Sequence, residues 1–206
     1  AAGDEGLAER DSALPISIEV FVAADLDPGI SQIVATMLRH GVDEWGYSLP
    51  VEYWIFGVDD DAGVDLTEKY CARRDSRGDQ NYEDCFASEN ASDAVSGYGR
   101  YYLELGQLAQ TGDEWVGEAG WTGNPGWGTH IFMSSDPLGL SGYYGNAGDS
   151  DLLTVLHEYW HGVQSGHIET LDEDKRTAAD GPIWFVEGAA EFMSLTLFDT
   201  LQNDGA

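Results

Sequence analysis

The chain has 206 residues, enough for one substantial core or for a domain with two lobes around a cleft. Its 38 acidic residues against nine basic ones give a formal net charge of −29, which excludes binding to nucleic acid or anionic membranes through bulk electrostatics. An apolar content of 42%, with seven Trp, ten Tyr and seven Phe, excludes a disordered chain, and no stretch approaches the ~20 apolar residues of a membrane span.

Residues 1–14 are polar and read as a loosely held arm before one domain over 15–206. The start, Ala1-Ala2-Gly3-Asp4-Glu5, lacks the basic end and apolar run of a signal peptide and suits a trimmed mature terminus. Ile16, Ile18, Val20 and Val22 alternate with Ser17 and Glu19, the period of a strand. Asp27-Pro28 then opens a helix with Ile30, Ile33, Val34, Met37, Leu38, Val42 and Trp45 at helical spacing. Val51 to Phe56, between Pro50 and Gly57, reads as a second strand.

Residues 58–97 are acidic and read as loop-rich. Asp59, Asp60, Asp61 and Asp65 could bind Ca2+, but the run lacks a closing Glu, and a solvated acidic turn suits the general acidity better. Cys71 and Cys85, flanked by charged residues, suit one disulfide across an exposed loop. Such a bond contributes about 3 kcal/mol in the loop-entropy model and implies an oxidising, secreted setting. The acidity likewise suits a saline extracellular environment, where salt screens self-repulsion. Tyr98 to Gln110 reads as a helix, residues 111–128 as a Gly/Trp-rich segment, and Thr129 to Met133 as a short strand before a Gly/Tyr loop.

The most specific signal is His157-Glu158-Tyr159-Trp160-His161, within an amphipathic helix over Asp151–Gln164. Residues four apart share a helix face, so both imidazoles can grip one ion. Zinc suits two nitrogens and one further ligand, and Glu158 beside the first histidine is placed to act as general base. A second helix is expected from Gly181-Pro182 through an apolar run to Leu201. It carries Glu187, with Gly188 and Ala189 small enough for close helix contact. His167, six residues after His161, is the other candidate third ligand.

HEYWH followed by WFVEGAAEF resembles the gluzincin metallopeptidases, the group that includes thermolysin, aminopeptidases and clostridial collagenases. The resemblance covers about residues 129 to 195. It implies Glu187 as third zinc ligand, Glu191 one turn later as the residue orienting a ligand histidine, and Glu158 as catalytic base. Gln164 is similar to the final residue of HEYxHxxQ helices in bacterial secreted members. The implied fold is α+β: a small mixed sheet packed on the HExxH helix, then a second helix with the third ligand. The opening β–α–β and the strand at 129–133 fit that sheet, the latter as the edge strand that pairs with a peptide substrate. An oxyanion donor is expected from a Tyr or His, with Tyr143 and Tyr144 as candidates. Only 15 residues follow Glu191, so the family's larger C-terminal lobe is expected to be absent or outside this chain.

The implied activity is hydrolysis of peptides or proteins. Within zinc peptidases the metzincin arrangement would use His167 instead, although Gln164 stands where that pattern needs a turn glycine, and glycine appears only at Gly166. Met193 could mimic that pattern's methionine but is more simply core. A non-catalytic secreted zinc-binding or adhesion domain is the alternative outside catalysis.

Overall fold

The computed structural model describes residues 17–46, 49–91, 97–111, 119–121, 129–135, 149–166, 179 and 181–205. Among the described residues it is a mixed α+β fold in which six helices pack around a small sheet. In chain order the elements are β1 (Ile18–Val22), α1 (Ile30–Trp45), β2 (Val51–Phe56), α2 (Asp60–Arg77), α3 (Tyr82–Glu89), α4 (Tyr98–Thr111), β3 (Ala119–Trp121), β4 (His130–Ser135), α5 (Asp149–Gly166) and α6 (Ile183–Asp204). The strand order is β1-β2-β4-β3. β1, β2 and β4 run parallel, with Ile18 opposite Val51 and Val51 opposite His130. β3 closes the sheet as an antiparallel edge, with Gly120 opposite Met133.

β2 is buried along its whole length because both faces of the sheet are covered. Strand alternation sorts its residues between two cores. Val51, Tyr53 and Ile55 pack with Phe132 under α1 and α5. Trp54 and Phe56 pack with Ile131 and Met133 under α2, α3 and α4. Burying each large apolar side chain here contributes about 1.5–3 kcal/mol. Glu52 is buried on the second face, where Arg73 and Arg77 hold one carboxylate oxygen at 2.7 and 2.6 Å. Two guanidinium partners offset the cost of removing that carboxylate from water.

Residues 58–91 correct the expectation of a loop-rich segment over 58–97. They form α2 and α3, joined by the Cys71–Cys85 disulfide, and both cysteines lie in the core rather than on an exposed loop. The buried stripe of α2 is Ala62, Gly63, Leu66, Thr67, Tyr70, Cys71 and Arg74, helical in spacing but small or polar in more than half its members. The Asp run is a helix start rather than a solvated turn. Asp59 accepts a hydrogen bond from the Ala62 amide, Asp60 and Asp61 occupy the first turn, and Arg74 and Arg77 the last, all complementing the helix dipole. Gly78 then ends the helix in the left-handed conformation that glycine adopts without strain.

A second correction concerns the strand before α5. β4 is interior, flanked by β2 and β3, and the edge falls to Ala119-Gly120-Trp121. β4 is buried along its whole length, and its backbone pairs with a strand on each side. The arm proposed for residues 1–14, the two tyrosines Tyr143 and Tyr144, and His167 all lie outside the described residues.

Two close approaches set the position of α5. A Cβ at Gly41 of α1 would sit 2.8 Å from Tyr159 Cδ1, and the Tyr159 hydroxyl donates to the Gly46 carbonyl at 2.6 Å. A Cβ at Gly162 would sit 3.0 Å from Phe132 Cζ and 3.6 Å from the ring of His130. Gly41→Ala should therefore overpack the α1–α5 contact and cost roughly 1–3 kcal/mol in urea-monitored unfolding. A cost near zero would show that Tyr159 moves freely.

His130 is buried, and burial lowers its pKa from the usual 6.5 to about 4. The folded state thus binds fewer protons than the unfolded state between those values, so stability falls as pH drops through that window. The loss expected by pH 4 is roughly 3 kcal/mol at 1.36 kcal/mol per pKa unit. His130→Phe should remove this component from the pH–stability curve; an unchanged curve would locate the acid sensitivity elsewhere.

Candidate metal centre

α5 carries the HEYWH segment as a continuous helix, and its two faces have different tasks. Val155, Tyr159 and Gly162 turn inward to the sheet and α1. At 100° per residue His157 and His161 then fall on the opposite side, towards α6. Glu158 lies at the border between these faces and is buried.

α6 packs along α5 through Ala190, Ser194 and Leu197, its buried residues. The expected role of Gly188 in that contact is not what the structure shows. Gly188 is exposed, with no atom within 4 Å of where a Cβ would stand, whereas Ala190 supplies the small buried residue. The helix register nonetheless turns Glu187 towards the histidines. Its Oε2 lies 3.2 Å from His157 Nε2 and 3.4 Å from His161 Nε2, and the two Nε2 atoms are 3.0 Å apart. Among the described residues these three form the one group of His, Cys or acidic side chains with metal-ligand spacing.

The triangle suits a small tetrahedral cation. Ligand atoms about 2.0–2.1 Å from zinc at tetrahedral angles are about 3.3 Å from one another, and the observed edges are 3.0, 3.2 and 3.4 Å. Two nitrogens and one carboxylate oxygen are a donor set zinc accepts, and three protein ligands leave a fourth direction open.

Groups behind the histidines fix how they present those nitrogens. The Gln164 amide nitrogen donates to the Val186 carbonyl at 3.3 Å, which leaves its oxygen, at 2.9 Å, to accept from His161 Nδ1–H. That tautomer places the His161 lone pair on Nε2, facing Glu187. Gln164 therefore ties the second histidine to the helix of the third candidate ligand. Glu191 Oε2 lies 3.6 Å from His157 Nδ1, on the far side of that ring from Glu187. Burial and the neighbouring His161 lower the His157 pKa, an effect opposed by Glu187 and Glu191. His157 is thus biased towards the neutral form that ligates metal.

Sequence reasoning found His157, His161, Glu187 and Glu191, and the structure brings all four together. It noted Gln164 only as a similarity, because a glutamine at i+3 on a helix has many uses and only the fold brings Val186 to its amide. It missed Gly162 as a docking residue, which the small-inward position within the helix could have signalled.

Gln164→Leu should keep the fold but lower zinc affinity about 10–100-fold, the usual effect of losing a partner behind a ligand histidine. Glu187→Ala, which removes a candidate ligand, should cost more. Competitive chelator titration checks both, and equal affinities for parent and Gln164→Leu would deny Gln164 this role. No family model, curated protein or solved structure matches the chain.

Proposed function

We propose that the chain is a zinc-dependent peptidase of the gluzincin type, with His157, His161 and Glu187 holding the metal. The observation that carries this reading is the ligand triangle, whose three edges match a tetrahedral zinc site. Zinc bound there supplies Lewis acidity, polarising a carbonyl and making water nucleophilic near neutral pH. Glu158 is one residue from a ligand yet does not belong to the ligand triangle. Its carboxylate is assigned to take the proton of the attacking water and deliver it to the nitrogen of the leaving amine. Gln164 and Glu191 hold the two imidazoles in place through that exchange.

The antiparallel edge strand β3 lies beside α5 and supports a peptide substrate bound in extended form. An extended chain can add to such an edge through main-chain hydrogen bonds. This reading moves the substrate edge from β4, where the sequence suggested it, to β3. The disulfide fits an oxidising compartment, and no helix among the described residues is long and apolar enough to cross a membrane. Secretion is the localisation we infer from these features.

Glu158→Gln tests the mechanism. The amide is nearly isosteric but cannot carry the proton, so zinc content should persist while hydrolysis of a mixed peptide library falls by at least about 10²-fold. Turnover near the parent rate would refute the assigned mechanism. Parent protein that binds zinc tightly but cleaves nothing in the library would instead favour the non-catalytic zinc-binding module.

A further inference from the structure

α6 is apolar on two opposite sides, but packs against α5 through only one of them. Ala190, Ser194 and Leu197 form the buried side. On the other, Trp184 and Phe192 are 74% and 67% exposed, accompanied by Phe185 and Leu195. At 100° per residue, Trp184, Gly188, Phe192 and Leu195 fall within one sector of the helix, and Gly188 leaves a notch with nothing within 4 Å of its missing Cβ. Trp184 and Phe185 meet edge to face at 6.1 Å. At 150–250 Å² per aromatic side chain the exposed group presents roughly 500 Å² of apolar surface, in the range where the largest patch of a monomer is often functional.

The surroundings select among occupants. Glu187, Glu191 and Asp199 border the patch, and α6 contains no Lys or Arg. A second copy would bring the same carboxylates and another charge of −29, so like-charge repulsion opposes self-association here. A helix resting on an anionic membrane carries Lys or Arg on its polar face, and α6 has none. The spacing of Trp184, Phe192 and Leu195 around the Gly188 notch instead suits a second helix laid along the first, its ridge entering at the glycine.

We propose that this face of α6 docks an amphipathic helix of a partner protein, with an apolar stripe for the Trp184–Leu195 sector and Lys or Arg along its flanks. The area is below the ~800 Å² per partner of a standard interface, so the contact is a transient one, of micromolar strength. Because Glu187 and Glu191 border the same sector, the docked helix stands beside the metal ligands. The docking does not depend on the peptidase reading.

Two synthetic alanine-based helical peptides of about 18 residues test it, long enough to hold helix in water. Both carry Leu at i, i+4, i+8 and i+11; one has Lys on the flanks and the other Glu. Binding is followed by calorimetry and tryptophan fluorescence. The Lys peptide should bind the intact protein with micromolar Kd. Trp184→Ala and Phe192→Asp should each weaken it at least about tenfold, as expected for hot-spot aromatics, without changing zinc content. Salt raised from about 0.05 to 0.5 M should weaken it as well. Absence of saturable Lys-peptide binding, or equal binding of the Glu peptide, would overturn the proposal. So would a dimer in sedimentation that Phe192→Asp dissociates, which would assign the face to a second copy, or binding to anionic vesicles lost in the same variant.

Discussion

The inward face of α5 is the constraint on which the rest depends. That helix must lie flush against β4 at Gly162 and against α1 at Gly41, where one added methyl would strike Phe132 or Tyr159. Protein interiors are packed densely enough that such contacts fix both the height and the rotation of a helix. Once Tyr159 and Gly162 face inward, the 3.6-residue period leaves His157 and His161 no direction but outward, over α6. The Tyr159 hydroxyl bonded to the Gly46 carbonyl adds a directional tie to a contact otherwise made by shape. The geometry of the candidate ligands is thus set by residues outside their triangle.

The same logic extends through the sheet. β4 can support α5 because its other side is closed by the second core, where Trp54, Ile131 and Met133 meet α2 and α4. That layer depends on electrostatics as well as apolar contact. Of nine basic residues in so acidic a chain, Arg73 and Arg77 converge on the buried carboxylate of Glu52, and Arg77 also holds Asp79 at 2.7 Å. Arg73 reaches Glu19 of β1 too and lies over the Phe21 ring, 4.8 Å from its centroid. Glu52 and Asp79, whose carboxylates are buried, thus take up two of the scarce cations. Exposed acids such as those of α6 have none on their own helix, so the surface field is negative around the candidate metal centre.

Gln164 links the two helices chemically. One amide accepts from His161 and donates to the backbone of the helix bearing Glu187, so a displacement of α6 would disturb both the third candidate ligand and the tautomer of the second. The α5–α6 contact is small at its centre, with Ala190 and Ser194 buried, and this brings the carboxylate within reach of the imidazoles.

Elements whose side chains separate cleanly into apolar and polar sets were legible in the sequence. The alternation in β1, the largely apolar run of β2 between Pro50 and Gly57, the periodic stripe of α1 and the HEYWH helix all came from local spacing, which the backbone imposes without help from distant residues. The two histidines and Glu187 were visible because ligand chemistry restricts residue type as well as position. α2 was not visible, since its buried stripe includes Gly63, Thr67, Cys71 and Arg74, whose burial is decided by α3, α4 and a buried ion network rather than by hydrophobicity. The Cys71–Cys85 bond was expected from the residues, but its place in the core was not, for the same reason. Only tertiary structure made β3 the edge and β4 interior, because strand order depends on long-range pairing that no local pattern records. The rotation of α6 was likewise tertiary: a helix apolar on two sides has no single preferred inward face, and contact with α5 selected Ala190 over Gly188.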